Sequence, residues 1–241
     1  MSEISSTGEH MLIVLECIAK KGSLTAAQVS EACSINRTVA HRLLNTLTKH
    51  RYAQKTSAGY ELGPAAIDLA RSALPSIITT AKSGMERLAA EIDETVILHC
   101  VSGVEAMAID QVLSRNRLVM VRHTSGSCHA LNRGASGWAL LAFQSETFIE
   151  RFMSSLPKES HAATAARIEQ VQKDGFAISS DELQLGVHGL FVPIFNPNGT
   201  CGYSMGVLVP TIRADSLSGL EHRLISISQI ITKQVSAPKA S

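Results

Sequence analysis

The sequence predicts an α+β fold in two parts: an N-terminal winged helix-turn-helix, then a linker helix leading into a C-terminal α+β domain. Three observations carry this. Three short helical patterns and a hairpin fill the first 63 residues. Beyond residue 95, apolar runs of strand length alternate with turn signals such as Ser102-Gly103 and Asn196-Pro197-Asn198-Gly199. The 241 residues, 45% hydrophobic and 18% charged, form an ordinary globular composition with material for one large core or two small ones.

The elements follow in order. Residues 11–19 set Leu12, Leu15, Ile18 and Ala19 on one helical stripe, which Lys21-Gly22 ends. Thr25 with Gln28 three residues on is a capping box, opening a second helix through Val29 to about Ala32. Cys33-Ser34-Ile35 is a tight connection, and Asn36 caps a third helix running to about His50. In that helix Val39, Leu43, Leu44 and Leu47 are expected to face inward, and Arg37, Thr38, His41, Arg42 and Asn45 outward. Residues 51–62 read as a wing anchored by Tyr52, Tyr60 and Leu62, with its tip at Ser57-Ala58-Gly59.

Residues 64–80 read as the linker helix, with Ile67, Leu69, Ala70 and Leu74 apolar. A further helix over residues 81–92 buries Met85, Leu88, Ala89 and Ile92. Residues 95–101 and 105–112 form a hairpin, residues 118–122 alternate as a third strand, and residues 189–195 and 202–209 form another hairpin. Helices are expected over residues 138–143, 146–153, 164–173 and 215–234. The expected division is therefore 1–63, 64–80 and 81–241, the last being α+β with helices at the ends and on one face of the strands.

Charge narrows the function. The net charge of +1 excludes a protein that coats nucleic acid by bulk charge, but it hides an asymmetry. Residues 1–63 hold four Lys and three Arg against five acids, a net +2. Between Glu31 and Glu61 there is no acid, while Arg37, Arg42, Lys49, Arg51 and Lys55 fall in that window. The first turn of a recognition helix enters the major groove, where Arg37 and Arg42 can fork onto guanine or phosphate. Thr38, His41 and Asn45 can hydrogen-bond base edges or phosphate, and Lys55 and Ser57 of the wing can lie along the backbone. The expected partner is double-stranded operator DNA.

Other classes recede. Residues 1–10 lack the apolar stretch of a signal peptide. Residues 189–212, the longest run without a charge or His, hold Pro193 and a turn, so they read as two strands and not a membrane span. Cys17, Cys33, Cys100, Cys128 and Cys201 are odd in number, scattered and without a CxxC pair, which points to reduced thiols in a cytoplasm and to no metal or other cofactor.

Three stretches carry a family resemblance. Arg37-Thr38-Val39-Ala40-His41-Arg42-Leu43-Leu44-Asn45-Thr46-Leu47, followed by Gly59-Tyr60-Glu61-Leu62-Gly63, resembles the winged helix of IclR-type transcriptional regulators. The run from Asp174-Gly175-Phe176-Ala177 to Val192-Pro193-Ile194 is similar to that family's signature near the end of its effector domain. Gly134-Ala135-Ser136-Gly137-Trp138 resembles its small-residue loop leading into a helix. The resemblance implies a homodimer, or a dimer of dimers, on a pseudo-palindromic operator, with a GAF-like domain that binds a small metabolite. It also implies that the Gly134–Gly137 loop lines the effector cavity with positions Val121, Ser179, Val187, Gly189, Gly206 and Leu208. The chain departs from the family's pattern at Asn132, Arg133, Trp138, Gly206 and Leu208.

Read for themselves, Ala135, Ser136 and Gly137 offer helix-start N–H groups and a hydroxyl suited to a carboxylate. Val187, Gly189, Gly206 and Leu208 carry no polar side chain and suit carbon. The expected effector is a small organic acid with an aromatic or other apolar body. Two rivals stand beside the regulator. A thiol-dependent enzyme would need a Cys nucleophile with a base, and Cys128-His129, the one adjacent pair, would point to opposite faces of a strand. A DNA-binding protein without a ligand would have a tightly packed C-terminal domain.

Overall fold

The computed structural model describes residues 4–73 and 76–236, with residues 70–73 and 76 by backbone only. The chain divides into two compact units, Met1–Pro75 and Ser76–Ser241.

In the first unit α1 (Ser6–Lys21), α2 (Ala26–Ala32) and α3 (Arg37–Lys49) pack around one small core. Each start has a local cause. Ser5 caps α1, the Thr25–Gln28 capping box opens α2, and Asn36 accepts the Thr38 N–H at 2.8 Å to open α3. The turn between α2 and α3 is tied by Ser30, whose hydroxyl donates to the Ile35 carbonyl at 2.7 Å.

Two inward faces differ from expectation. On α1 the buried residues are Val14 and Ile18, while Leu12 and Ala19 are exposed. On α3 the buried residue of the first turns is Ala40, and Val39 is exposed. Ala40 belongs to the core of the first unit with Leu43, Leu44 and Leu47, so the buried stripe of α3 runs through 40, 43, 44 and 47 at helical spacing and passes Val39 by.

The wing is β1 (Ala53–Lys55) antiparallel to β2 (Tyr60–Leu62), with Leu24 bridging to Tyr60. Gly59 makes that bridge possible: its φ is +143°, and a Cβ there would sit 2.5 Å from the Leu24 carbonyl. Tyr60 is buried, Tyr52 half-buried and Leu62 exposed, so Leu62 does not anchor the wing. The next helix, α4, covers Ala65–Ala73 and exposes Ile67 and Leu69. Leu74 lies outside the described residues.

The second unit begins with α5 (Ser76–Ile92), so the helix read as starting at 81 starts five residues earlier. The sequence carries its helix breaker at Pro75 and none at Thr80 or Ala81. Then come β3 (Thr95–Ser102), β4 (Glu105–Val112), β5 (Cys128–Ala130), α6 (Gly134–Leu141), α7 (Glu146–Ser154), α8 (His161–Asp174), β6 (Ala177–Ser180), β7 (Val187–Phe195), β8 (Cys201–Pro210) and α9 (Glu221–Ser236).

The strands form one antiparallel sheet in the order β5-β4-β3-β8-β7-β6. One face carries Val96, Leu98, Leu190, Val192, Met205 and Val207, all buried, on the side of α5 and α9. The other carries Ile97, Ala106, Phe191 and Leu208 against α6.

Three expectations are corrected here. Residues 118–122 form no strand: Leu118 and Val119 are exposed, and the place beside β4 is taken by β5. Alternation shows only that a strand could bury one face; it does not say which segment pairs, and beside β4 the pairing segment is Cys128–Ala130. The helix read from Trp138 already begins at Gly134, so Gly134–Gly137 is its first turn and not a loop before it. Residues 215–234 are not one helix, because 3-10 turns over Thr211–Leu217 precede α9 and Gly219, at φ +83°, separates the two.

Candidate functional site

On the first unit the candidate surface is the outer face of α3 with the wing. Arg37, Thr38, His41, Arg42, Asn45, Lys55 and Ser57 are all exposed. Asn45 Nδ2 donates to His41 Nδ1 at 3.2 Å, which makes Nε2 the N–H of the neutral ring. Lys55 Nζ stands 5.9 Å from the centre of the Tyr60 ring, a cation–π contact that stiffens the wing's basic strand. Arg51 sits 3.9 Å from Asp68, so part of the basic window is turned to the chain itself. The face presents cations and rotatable donors and acceptors, the chemistry that reads base edges and phosphates.

On the second unit, a cavity of about 380 Å³ opens between the first turn of α6, strands β6 to β8 and the irregular segment before β5. Six of the sequence-predicted positions line it: Val121, Ala135, Ser136, Ser179, Val187 and Leu208. Gly189 and Gly206 are not among the lining residues. Gly189 lets three lining side chains close in, since a Cβ there would be 3.0 Å from Leu208, 3.3 Å from Ser179 and 3.5 Å from Ala135. Gly206 lies under its cross-strand partner Phe191, whose ring would be 2.4 Å from an added Cβ, and it is Phe191 that lines the cavity.

The start of α6 is not open. The Gly134 N–H donates to Glu182 Oε2 at 2.8 Å, and the Trp138 indole N–H donates to the same oxygen at 2.8 Å. The chain's own carboxylate therefore caps this helix. Trp138 is buried and faces Glu182 and the Arg167 guanidinium, 5.9 Å from its ring centre, so it does not stack in the cavity. Arg133 does line it, as does Arg122.

The largest surprise is a histidine cluster. His99, on the α6 face of β3, is fully buried, and neither ring nitrogen has a hydrogen-bond partner among the described residues. Its ring centre lies 5.4 Å from that of His123, 5.6 Å from His129 and 5.5 Å from Phe191, all three of which line the cavity. Burial drives the His99 pKa well below the usual imidazole value, and His123 and His129 push it further. Burial also lowers His123, with His129 adding to the effect. Burial lowers His129 too: the Ala130 carbonyl opposes, Arg133 reinforces and Glu105 opposes.

Sequence reasoning missed this cluster, although one signal was there. His99 is the lone basic residue in the otherwise apolar run Thr95-Val96-Ile97-Leu98-His99-Cys100-Val101. His123 and His129 had no such signal, because only the fold carries them to His99.

Burial makes Cys33, Cys100 and Cys201 poor nucleophiles. Burial, then the Cys17 contact, raises Cys33 to about 11, and burial raises Cys201 to about 12. Cys128 is exposed with Sγ 3.5 Å from the Gly126 carbonyl, while the His129 ring bonds to Ala130 and Ser136, so the two form no dyad. Among the described residues no group of three or more His, Cys, Asp or Glu is placed to hold a metal ion. No described helix is long and apolar enough to cross a membrane.

A winged helix with a cationic outer face, followed in sequence by an α+β domain that holds a cavity, marks the class of DNA-binding transcriptional regulators. Comparison with known proteins specifies it. The profile of the IclR helix-turn-helix domain matches residues 9–57, and that of the bacterial transcriptional regulator IclR C-terminal domain matches residues 73–237. The chain belongs to the IclR family of DNA-binding transcriptional regulators.

It is 24% identical over 234 residues to the Pca regulon regulatory protein of Pseudomonas putida, covering 93% of this chain and 80% of that one. It is 24% identical over 214 residues to the transcriptional regulator TtgV, also of Pseudomonas putida, covering 86% and 82%. Among solved structures it superposes on HmgR of Pseudomonas aeruginosa with a TM-score of 0.81 at 21% identity, covering 97% and 100% of the two chains. An IclR homologue from Microbacterium hydrocarbonoxydans complexed with 4-hydroxybenzoate gives 0.80 at 16% identity, also covering 97% and 100%.

Proposed function

We propose that the protein binds a dyad-symmetric operator through α3 and the wing, as a homodimer, and that a small organic acid with an apolar body, occupying the cavity of the second unit, controls that binding. The observation that carries the reading is the make-up of the cavity. At about 380 Å³ it falls in the range of small-ligand sites. Val187, Leu208, Phe191 and Leu183 give it a carbon wall, while Arg122 and Arg133 give it positive charge. That combination suits a body of carbon with one acidic end.

Relatives support the class of ligand by their names alone, one being a Pca regulon regulatory protein and one a 4-hydroxybenzoate complex. The DNA contacts fall to Arg37, Thr38, His41, Arg42, Asn45, Lys55 and Ser57. The test is selection of a site from random oligonucleotides by the full chain, followed by release of that site under a panel of aromatic acids, aliphatic keto acids and sugars. Release by acids with an apolar body is expected. Response only to polyhydroxylated sugars refutes the ligand class, and failure to select any site refutes the operator.

A further inference from the structure

The bonding of Ser136 says which polar group a ligand presents to it, given the reading of the cavity as an effector site. His129 on β5 holds the key. Its Nδ1 lies 3.1 Å from the Ala130 carbonyl oxygen, and its Nε2 lies 3.0 Å from Ser136 Oγ. A carbonyl oxygen only accepts, so Nδ1 carries the ring proton. In the neutral ring Nε2 is then the acceptor, and the Ser136 hydroxyl donates to it. The one proton of that hydroxyl is committed, and what Ser136 Oγ has left to offer is lone-pair density.

We propose that His129 is the specificity-determining residue of the cavity: by holding Ser136 as an acceptor, it selects a ligand that presents a hydrogen-bond donor there, a hydroxyl or phenol, and turns away a carboxylate. The acid end of the ligand belongs instead with Arg122 and Arg133, which line the same cavity. This reverses the simple expectation that Ser136 and the helix start hold the carboxylate, and it agrees with Glu182 already occupying the Gly134 N–H.

The state of His129 is set by its surroundings on every side. Burial and the nearby Arg133 favour the neutral ring, while the Ala130 carbonyl and Glu105 favour the charged one. His99 stands 5.6 Å away, and His123 completes the cluster without adding charge while it is neutral. If His129 gains a proton, Nε2 becomes a donor to Ser136 Oγ. The Ser136 O–H is then released and can turn to a ligand carboxylate. A carboxylate at Ser136 therefore binds with uptake of one proton, and its affinity rises as pH falls. A hydroxyl at Ser136 binds best where His129 is neutral.

The experiment is calorimetry on the full chain with three probes that share one ring: 4-hydroxybenzoate, benzoate and terephthalate, at pH 8 and pH 6. At pH 8, 4-hydroxybenzoate should bind about tenfold tighter than terephthalate, the worth of one good hydrogen bond. That gap should narrow at pH 6. His129→Phe, which cannot accept, should erase both the gap and its pH dependence, and Ser136→Ala should bring 4-hydroxybenzoate to the affinity of benzoate. Equal affinity for the hydroxyl and carboxylate probes at pH 8, or a preference that survives His129→Phe, overturns the proposal while leaving the effector reading intact. No binding by any probe overturns both. A second measurement needs no ligand: ring nitrogen NMR shifts of His129 should report the Nδ1–H tautomer, and the Nε2–H tautomer overturns the proposal.

Discussion

Arg37 and Lys55 are both exposed cations, and the proposed operator reading gives them different work. Arg37 opens α3 directly after its cap, where a side chain reaches base edges, whereas Lys55 sits on the wing against Tyr60. Arg37→Ala is expected to weaken operator binding by about 1–3 kcal/mol and to relax the preference at one base position. Lys55→Ala is expected to weaken all DNA about equally and to reduce the salt slope. Competition binding against operator and scrambled duplexes separates the two, and equal loss on both duplexes for Arg37→Ala removes its reading role.

Gly206 teaches the opposite lesson. The resemblance makes it one of the positions that line the effector cavity. In the fold a Cβ there would meet the Leu190 carbonyl at 2.2 Å, so Gly206→Leu is expected to destabilise the second unit by about 1–3 kcal/mol or more through overpacking. A lowered melting temperature checks this. An unchanged one would mean the strand can shift to make room.

Helix starts are the elements most directly written in the chain. Thr25 Oγ1 accepts the Gln28 N–H at 3.3 Å, and Gln28 Oε1 accepts the Thr25 N–H at 2.8 Å, as the spacing alone implied. Thr25→Ala should cost about 1 kcal/mol, read as a shift in urea midpoint without change of slope. Strands were less legible. β3, β4, β7 and β8 stood out because each is an apolar run bounded by a turn, but the short edge strands β5 and β6 did not. Three or four residues carry too little periodicity to be seen, and an edge is defined by its neighbour.

At the scale of the molecule, two properties are testable. His123 and His129 of the cavity wall, and His99 buried beside them, all have folded pKa values depressed below the ordinary imidazole value, so the unfolded chain binds more protons than the folded one as pH falls through that value. Their contribution to stability is fully present above about pH 6.5 and is lost progressively below it, before carboxylates titrate. The melting temperature should fall between pH 7 and pH 5.5, and His99→Leu should flatten that fall; a wild-type melting temperature constant over the range contradicts it.

Assembly is the second property. Leu12 and Ile13 on α1 and Ile67 and Leu69 on α4 are exposed, apolar surface that a second copy can cover. A single recognition helix also reads too few bases for useful specificity. Sedimentation at operator-saturating concentration is expected to give a dimer, and Ile67→Glu to weaken it. A monomer on DNA for the unchanged chain ends the proposal.

What the chain determined by itself is local or periodic. The capping residues, the basic face of α3, the turns and the long apolar strands all depend on residues a few positions apart, and the order of those signals carried both the fold and the family. What only the tertiary structure decided is what meets across long separations. The side of α3 taken by Ala40 rather than Val39, the strand that fills the edge beside β4, the Glu182 carboxylate at the start of α6 and the burial of His99 beside His123 and His129 are all of this kind. Each is a competition for one place between groups far apart in sequence. Such competitions are settled by packing and by the cost of leaving a polar group unpaired, and neither quantity exists until the chain has folded.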